Sequence, residues 1–357
     1  MSYFIYFALA SLLTFFLTPL TSKLAVRIGA VDVPDGVRKI HTRTTPYGGG
    51  IAMFFAFTLT FCVAIFHLDL EIDSKLIGLV VASVIMLAIG LLDDIKPISA
   101  KYKFLVQLAA ASVLYVAGYK ITHISSFTGI VDFELWSIPI TLLWITGVTN
   151  TINLIDGLDG LAAGIAAIAS TTVFIISFIT GNIDAALFAA VLAGACVGFL
   201  PRNLNNRRKV FMGDAGAYFV GMILAVISME GGLKSATFLT VVAPVLAVGI
   251  PIFDTAFAIV RRLFNGKPIG QPDRGHLHHR LVDFGISQKK TVLALYFINV
   301  VFGMGAVAII NGDIAYGAMF FVIAFILVLI PSFRTPSSTS GVSDIVLSKI
   351  PRKTDRP

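Results

Sequence analysis

Long apolar segments, separated by short polar connections, dominate this chain of 357 residues. A helix needs about 20 mostly apolar residues to cross the hydrocarbon core of a bilayer, and only 13% of the residues are charged, about half the share usual in soluble domains. The pattern therefore predicts an all-α, polytopic membrane helix bundle with about eleven transmembrane helices. The predicted spans lie near residues 3–22, 48–66, 76–92, 104–119, 137–149, 161–180, 185–200, 215–229, 235–260, 291–310 and 314–333.

The distribution of charge predicts how this bundle is oriented. Connections after odd-numbered spans, together with the C-terminal tail, hold 24 of the 27 Lys and Arg residues. Since basic residues concentrate on the cytoplasmic side of membrane proteins, the N-terminus is predicted outside and the C-terminus in the cytoplasm. We predict one transmembrane domain over residues 1–333 and a disordered tail over 334–357, and we attribute the basic charge to topology rather than to nucleic-acid binding.

Polar side chains collect at the predicted cytoplasmic ends of the spans. Asp93 and Asp94 in LLDDIK end the third span, and Asp214 in KVFMGDAG opens the eighth. Three histidines in PDRGHLHHRL follow the ninth. The motif NTINLIDGLDG, at the end of the fifth span, contributes Asn150, Asn153, Asp156 and Asp159. Residues from four separate connections can form one site if the bundle brings these helix ends together.

The acidic residues allow a functional and a structural interpretation. Asp93 and Asp94 could hold a divalent cation or position a phosphate, since magnesium takes one or two carboxylates together with substrate phosphates. The alternative is a pair of solvated acids at a helix end. Asp214 could bind a metal or a diphosphate, or it could cap the N-terminus of the eighth span.

The Asn/Asp motif has a spacing of three residues, which places its four polar side chains on one stripe if the segment is helical. Gly157 and Gly160 make it equally plausible that the helix breaks there and that the backbone bends toward a ligand. A third interpretation is that Asp156 or Asp159 caps the sixth span. Capping accounts for one acid, however, and leaves the other polar residues unexplained.

Basic residues in two cytoplasmic connections are candidates for binding an anion. The cluster of His276, His278 and His279 lies between Arg274 and Arg280. Cationic recognition of phosphate suits this composition better than a zinc site, because no cysteine or nearby acid completes a tetrahedral set. The first connection, VRKIHTRTTPYGGG, could close over an anionic ligand, although a basic loop beside a membrane is most often a topology signal.

Together, the four motifs resemble those of the polyprenyl-phosphate N-acetylhexosamine-1-phosphate transferase family, glycosyltransferase family 4, over about residues 20–300. LLDDIK is similar to the Asp-Asp motif of that family, NTINLIDGLDGLAAG to its Asn/Asp motif, KVFMGDAG to its metal-binding Asp motif and DRGHLHHRL to its histidine loop. The His-x-His-His sequence resembles the branch that uses UDP-N-acetylglucosamine (UDP-GlcNAc). The branch that transfers the muramoyl-pentapeptide instead tends to three consecutive histidines.

The resemblance implies that undecaprenyl phosphate attacks the β-phosphorus of UDP-GlcNAc and yields undecaprenyl-diphosphate-GlcNAc and UMP, with Mg²⁺, or alternatively Mn²⁺, as cofactor. It implies a bacterial plasma-membrane enzyme with a cytoplasmic active site that starts a cell-envelope polysaccharide such as teichoic acid or O-antigen; a homodimer is left open. The alternatives are another UDP-sugar, including UDP-MurNAc-pentapeptide, and an ion-coupled transporter, which would carry its acids near the bilayer midplane.

The family also implies roles for individual residues. Asp214 would bind Mg²⁺, with Asp94 as a second ligand, and Phe211 would stack on uracil. Asp93 would position the lipid phosphate or take its proton, although a phosphate monoester with a second pKa of about 6 is mostly ionised at neutral pH; a two-step route through an aspartyl-phosphate is left open. The other catalytic candidates are Asp156, Asp159, His276, His278 and His279. The other substrate-binding candidates are Arg43, Lys101, Lys103, Asn150, Asn153, Asn203, Arg274 and Arg280.

Overall fold

A computed structural model describes residues 2–34, 44–126, 129–205, 207–233, 281–282 and 285–333. The helices in this part of the chain are α1 (Ser2–Ile28), α2 (Gly49–Leu68), α3 (Ser74–Ile95), α4 (Ala100–Ala117), α5 (Ser137–Ile155), α6 (Leu161–Ile179), α7 (Ile183–Asn203), α8 (Gly213–Leu233), α9 (Gln288–Ile310) and α10 (Ile314–Phe333), with a 3-10 turn at Glu134–Trp136. Two short antiparallel strand pairs join β1 (Val31–Asp32) to β2 (Thr45–Pro46) and β3 (His123–Ser126) to β4 (Gly129–Asp132).

Eight of these helices, α1–α3 and α5–α9, are long and apolar enough to cross a membrane by length and composition. α10 has a shorter apolar stretch, Ile314–Val328. α4 covers the predicted fourth span but is not among the eight, because Lys101, Lys103 and Gln107 make it more polar. The prediction of an all-α membrane bundle is confirmed. Ten predicted spans coincide with helices, and the predicted ninth span, like the tail, lies outside the described residues.

Helix boundaries differ from the predicted spans in two informative places. α1 continues to Ile28, past Lys23, because long basic side chains favour a helix and can extend from a bilayer into water. α5 continues to Ile155 and so includes the first half of the Asn/Asp motif. Asn150 and Asn153, three residues apart, therefore share one face of α5.

α8 is the central helix of the described bundle. Every residue from Ala215 to Met229 is buried, and the helix packs against α2, α3, α5, α6 and α7. Phe219 lies edge-on to Phe54 and Phe57 of α2, with ring centroids 5.4 and 5.5 Å apart. A helix that is apolar on all sides belongs inside a larger assembly. This position places the polar N-terminus of α8 in the middle of one end of the bundle.

α2 and α3 approach the first turn of α8 so closely that only glycine fits at the contacts. A Cβ atom at Gly50 would lie 2.2 Å from the backbone N of Gly216, and one at Gly90 would lie 2.4 Å from the Cα of Ala215. Backbone atoms in a packed core cannot rotate aside as a flexible side chain can. These glycines therefore place the C-terminal end of α3, with its Asp-Asp motif, directly beside the start of α8.

α9 packs on the outside of α6. Gly164 of α6 lies against the ring of Tyr296 of α9, and Thr172 of α6 lies against Gly303 of α9. Because both pairs advance in the same chain direction, α6 and α9 run parallel and begin at the same end of the bundle. The predicted topology requires this shared direction, since its sixth and tenth spans both start on the cytoplasmic side.

Candidate active site

Two carboxylates from different helices converge on one lysine at the end of the bundle. The Nζ atom of Lys103, near the start of α4, lies 3.0 Å from Oδ2 of Asp93 in α3 and 3.1 Å from Oδ2 of Asp214 in α8. These three side chains are only 15–25% exposed, so their ion pairs are partly shielded from water. Lys101, the other candidate lysine in α4, is exposed. The third and eighth spans thus bring their acids together, as the motifs predict.

Asp214 is held by its neighbours and does not cap its own helix. α8 begins at Gly213, so Asp214 lies within the first turn, and the capping interpretation is wrong. Its Oδ1 accepts a hydrogen bond from Nδ2 of Asn153 at 2.9 Å, and its Oδ2 accepts one from the hydroxyl of Tyr218 at 2.9 Å. Tyr218 is absent from the predicted site, although its position four residues after Asp214 on one helix is a usable signal.

Asp94 caps the N-terminus of α8 from the neighbouring helix. Its Oδ1 accepts the backbone N–H of Asp214 at 2.8 Å, and its Oδ2 accepts that of Ala215 at 3.2 Å. The first N–H groups of a helix have no partners within the helix and favour a negative charge. Gly213, with φ +75°, is required here because a Cβ atom would lie 2.4 Å from Oδ2 of Asp94. The ammonium group of Lys103 therefore contacts the carboxylates of Asp93 and Asp214, whereas the carboxylate of Asp94 contacts the backbone of α8.

The motif NLIDGLDG is half helix and half turn. α5 ends at Ile155, residues 156–160 form a turn, and α6 begins at Leu161. Gly160, with φ +80°, occupies the N-cap of α6, and neither aspartate of the turn caps this helix. The helix therefore breaks within the motif, as its two glycines favour. Gly160 adopts a left-handed conformation that other residues rarely adopt.

The two aspartates of this turn have different surroundings. Asp159 forms an ion pair with Lys209, whereas the carboxylate of Asp156 has no such partner among the described residues. Burial raises the pKa of Asp156 well above its usual range, and the negative charges of Asp214, Asp94 and Asp159 raise it further. These carboxylates therefore lie close enough to repel one another. We refer to Asp93, Asp94, Asp156 and Asp214 as the acidic cluster.

Two of the predicted substrate-binding amides are engaged within the protein. Asn203, which is 5% exposed, accepts a hydrogen bond from the N–H of Gly160 and donates one to the carbonyl of Val210 at 2.8 Å. Asn150 donates to Oε1 of Gln107 at 2.6 Å. Asn203 therefore joins the 156–160 turn to the segment before α8, and Asn150 joins α5 to α4.

Two aromatic rings border the site where the segment before α8 meets the start of α2. The N–H of Phe211 donates to the carbonyl of Pro46 at 2.9 Å, and the N–H of Gly49 donates to the carbonyl of Phe211 at 3.0 Å. The rings of Phe211 and Tyr47 lie 6.0 Å apart, and both side chains are partly exposed. Burial, followed by the charge of Asp32, raises the pKa of Tyr47. Tyr47 is a neighbour of the site that no motif predicts.

The acidic cluster fits one mode of binding a divalent cation. Among the described residues, no three His, Cys, Asp or Glu side chains form a metal cage. Magnesium, however, often uses one or two carboxylates and takes its other ligands from water and substrate phosphates. The oxygens of Asp93 and Asp214 that meet at Lys103 provide such a pair. The predicted candidates outside the described residues are Arg43, Arg274, His276, His278, His279 and Arg280.

The fold and the site define a class of protein, a polytopic membrane protein with an acidic site at one end of its central helices. Residues 76–232 match glycosyl transferase family 4. The chain is 37% identical to a probable undecaprenyl-phosphate N-acetylglucosaminyl 1-phosphate transferase of Bacillus subtilis, with 86% of this chain and 85% of the relative covered. It is 35% identical to a decaprenyl-phosphate N-acetylglucosaminephosphotransferase of Mycolicibacterium smegmatis, with 91% and 87% covered.

The chain therefore belongs to glycosyl transferase family 4, the family that its motifs predict. A more distant relative, the undecaprenyl-phosphate alpha-N-acetylglucosaminyl 1-phosphate transferase of Escherichia coli, is 28% identical over 76% of this chain and 74% of its own length. The region that matches the family begins in α3 and ends in α8, so it contains the whole acidic cluster and Lys103. All three relatives are named as transferases, which favours an enzyme over the transporter alternative.

Proposed function

We propose that this protein transfers N-acetylglucosamine 1-phosphate from UDP-GlcNAc to a polyprenyl phosphate such as undecaprenyl phosphate. An oxygen of the lipid phosphate forms a bond to the β-phosphorus, the bond from this phosphorus to the bridging oxygen of UMP breaks, and the sugar–phosphate bond stays intact. The names of the relatives support the lipid acceptor and the transferred group. The convergence of Asp93 and Asp214 on Lys103 is the observation that carries the proposal.

The proposed reaction takes place at the cytoplasmic face of a bacterial plasma membrane. The acidic cluster lies beside the connections 93–103 and 201–212, which are rich in Lys and Arg. Basic connections of this kind mark the cytoplasmic side. A water-soluble nucleotide-sugar and a lipid phosphate can react only where the membrane surface meets the compartment that holds the nucleotide-sugar, and this end of the bundle satisfies that requirement.

Charge neutralisation is the main chemical demand of this reaction. Both substrates are phosphates, and their oxygens carry the negative charge that a phosphoryl-transfer site must stabilise. The acidic cluster repels such substrates, so the proposal includes a divalent cation. Asp93 and Asp214 would hold Mg²⁺, which would neutralise charge on the diphosphate. Lys103 contacts both of these acids and would bind a phosphate oxygen as a compact positive charge.

Positioning is expected to contribute more to the rate than proton abstraction. The second pKa of a phosphate monoester is about 6, so most of the lipid phosphate is already a dianion at neutral pH. Asp93 is fixed at both oxygens, because Oδ1 accepts the N–H of Ile98 at 2.7 Å and Oδ2 contacts Lys103 at 3.0 Å. A rigid carboxylate beside a lysine suits the orientation of a reacting phosphate.

The uridine is proposed to bind between the 156–160 turn and Phe211. The ring of Phe211 is partly exposed at the border of the site, and an aromatic face can stack on a base. Asn153 lies beside Asp214, where its amide can contact the nucleotide. The ion pair of Asp159 and Lys209 places a second positive charge between the turn and the segment that carries Phe211.

The proposed function is tested by UMP release from the purified protein in detergent. We expect release to require undecaprenyl phosphate, UDP-GlcNAc and Mg²⁺, and Asp214→Asn to lower the rate about a hundredfold or more. Full activity of Asp214→Asn would remove Asp214 from the proposed machinery. A parallel panel of UDP-sugars, including UDP-MurNAc-pentapeptide, tests the donor. If UDP-GlcNAc were inert and another sugar reacted, the proposed donor would be wrong, although the family assignment would stand.

A further inference from the structure

The backbone of Gly160 is held from two sides by side chains of distant helices. Its N–H donates to Oδ1 of Asn203, at the end of α7, and its carbonyl accepts a hydrogen bond from the hydroxyl of Tyr296, in α9. The same carbonyl also accepts the N–H of Gly164 at 2.9 Å, the first hydrogen bond of α6. The backbone of Gly160 therefore connects the 156–160 turn to α7 and α9.

Tyr296 reaches this point only because the neighbouring residue of α6 is a glycine. A Cβ atom at Gly164 would lie 1.9 Å from the hydroxyl oxygen of Tyr296 and 2.0 Å from its ring. The ring lines an apolar groove of about 770 Å³ between α6, α7, α9 and α10. In apolar surroundings a phenol hydroxyl requires a hydrogen-bonding partner, and the carbonyl of Gly160 provides one.

We propose that Tyr296 is a positioning residue for the transfer reaction. By holding the carbonyl of Gly160, it fixes the turn that carries Asp156 and Asp159, and hence the wall of the site that faces the nucleotide-sugar. Asn203 holds the same turn from the side of α7, and the ion pair of Asp159 and Lys209 holds it from the segment before α8. Loss of the Tyr296 hydroxyl therefore releases the turn on the side of α9. The inference rests on the proposed function, because it names the nucleotide-sugar as the substrate whose binding depends on this turn.

The test is steady-state kinetics of Tyr296→Phe, which keeps the ring and removes only the hydroxyl. We expect the KM for UDP-GlcNAc to rise about threefold to tenfold, the range for one lost hydrogen bond whose acceptor keeps a second bond, from the N–H of Gly164. The KM for the polyprenyl phosphate should stay within about twofold, because its binding does not depend on the turn. The matched control is Tyr316→Phe, in α10. Tyr316 lines the same groove, is 61% exposed and should tolerate loss of its hydroxyl with unchanged kinetics.

Two results would overturn the inference. One is a KM for UDP-GlcNAc in Tyr296→Phe equal to that of the wild type. The other is a parallel rise of both KM values with a lowered melting temperature, which would indicate a purely structural hydroxyl. Failure of the proposed function is distinguishable, since the wild-type protein itself would then release no UMP from UDP-GlcNAc. Faster amide hydrogen exchange at residues 156–160 in Tyr296→Phe, but not in Tyr316→Phe, provides a readout that does not depend on activity.

Discussion

The substitution Asp94→Asn tests whether Asp94 caps α8 or binds a cation. Both carboxylate oxygens of Asp94 accept backbone N–H groups, those of Asp214 and Ala215. Asparagine keeps one acceptor oxygen, and its NH₂ group would face the other N–H. A buried N–H group that loses its acceptor costs about 1–3 kcal/mol. Since one of the two N–H groups loses its acceptor, we expect a net loss of about 1–3 kcal/mol.

The assay is thermal unfolding of the purified protein in detergent without divalent cations. For a chain of this size, about 1 kcal/mol corresponds to roughly 2 °C, so the melting temperature of Asp94→Asn should fall by roughly 2–6 °C. The matched control is Asp156→Asn. Because burial opposes the charge of Asp156, removal of that charge should raise the melting temperature at neutral pH.

A cation-binding role for Asp94 predicts the opposite sign. Removal of a ligand carboxylate would relieve repulsion in the cation-free protein and would weaken its affinity for Mg²⁺. The capping role would be refuted if Asp94→Asn melted at or above the wild-type temperature without cations. It would be refuted equally if the variant kept the wild-type rate at saturating Mg²⁺ but needed at least about tenfold more Mg²⁺ for half of it.

Three further predictions test other parts of the site. Gly90→Ala should push α3 away from α8 and cost about 1–3 kcal/mol together with most of the activity. Gly147→Ala, which places a Cβ in open space within α5, should keep the activity and should not lower the melting temperature. Equal melting temperatures of the two variants would contradict the close contact. Lys103→Gln should lower UMP release about tenfold to a hundredfold, and Lys101→Gln should not; the reverse order would make Lys101 the phosphate-binding lysine. Because the pKa of Asp156 is raised in the folded protein, the folded state favours the protonated form of this carboxyl group. The resulting stabilisation is complete below the unfolded-state pKa of about 3.9 and is lost as the pH rises through the folded-state pKa. In cation-free buffer, the wild type should therefore lose stability relative to Asp156→Asn as the pH rises from about 4; a constant difference in melting temperature would contradict this.

The sequence predicts the bundle and the meeting of its acids because both depend on coarse properties. Apolar length alone predicts most of the spans, and the charge of the connections predicts which ends lie together. Asp93 and Asp214 could therefore be assigned to one site although they are 121 positions apart. Tyr218, four residues after Asp214 on a predicted helix, could have been added by the same helical spacing.

The remaining contacts depend on side-chain direction, which residue type and spacing do not determine. Asp94 follows Asp93 directly, yet it turns to backbone N–H groups of α8 while Asp93 turns to Lys103. Asn203 is a predicted substrate-binding amide, and both ends of its side chain contact backbone groups. Tyr296 lies in an apolar helix with no motif around it, and its partner is a backbone carbonyl 136 positions away. Contacts of this kind can be identified only from the packed structure.

The most direct test of the central proposal is to follow both halves of the transferred group. UDP-GlcNAc would carry one isotope in the sugar and another in the β-phosphate, and the purified protein would receive it with undecaprenyl phosphate and Mg²⁺. We predict that both isotopes enter the lipid fraction in equal amounts and that UMP is the released nucleotide. Entry of the sugar isotope alone, with release of UDP, would show attack at the sugar carbon and would contradict phosphosugar transfer at this site.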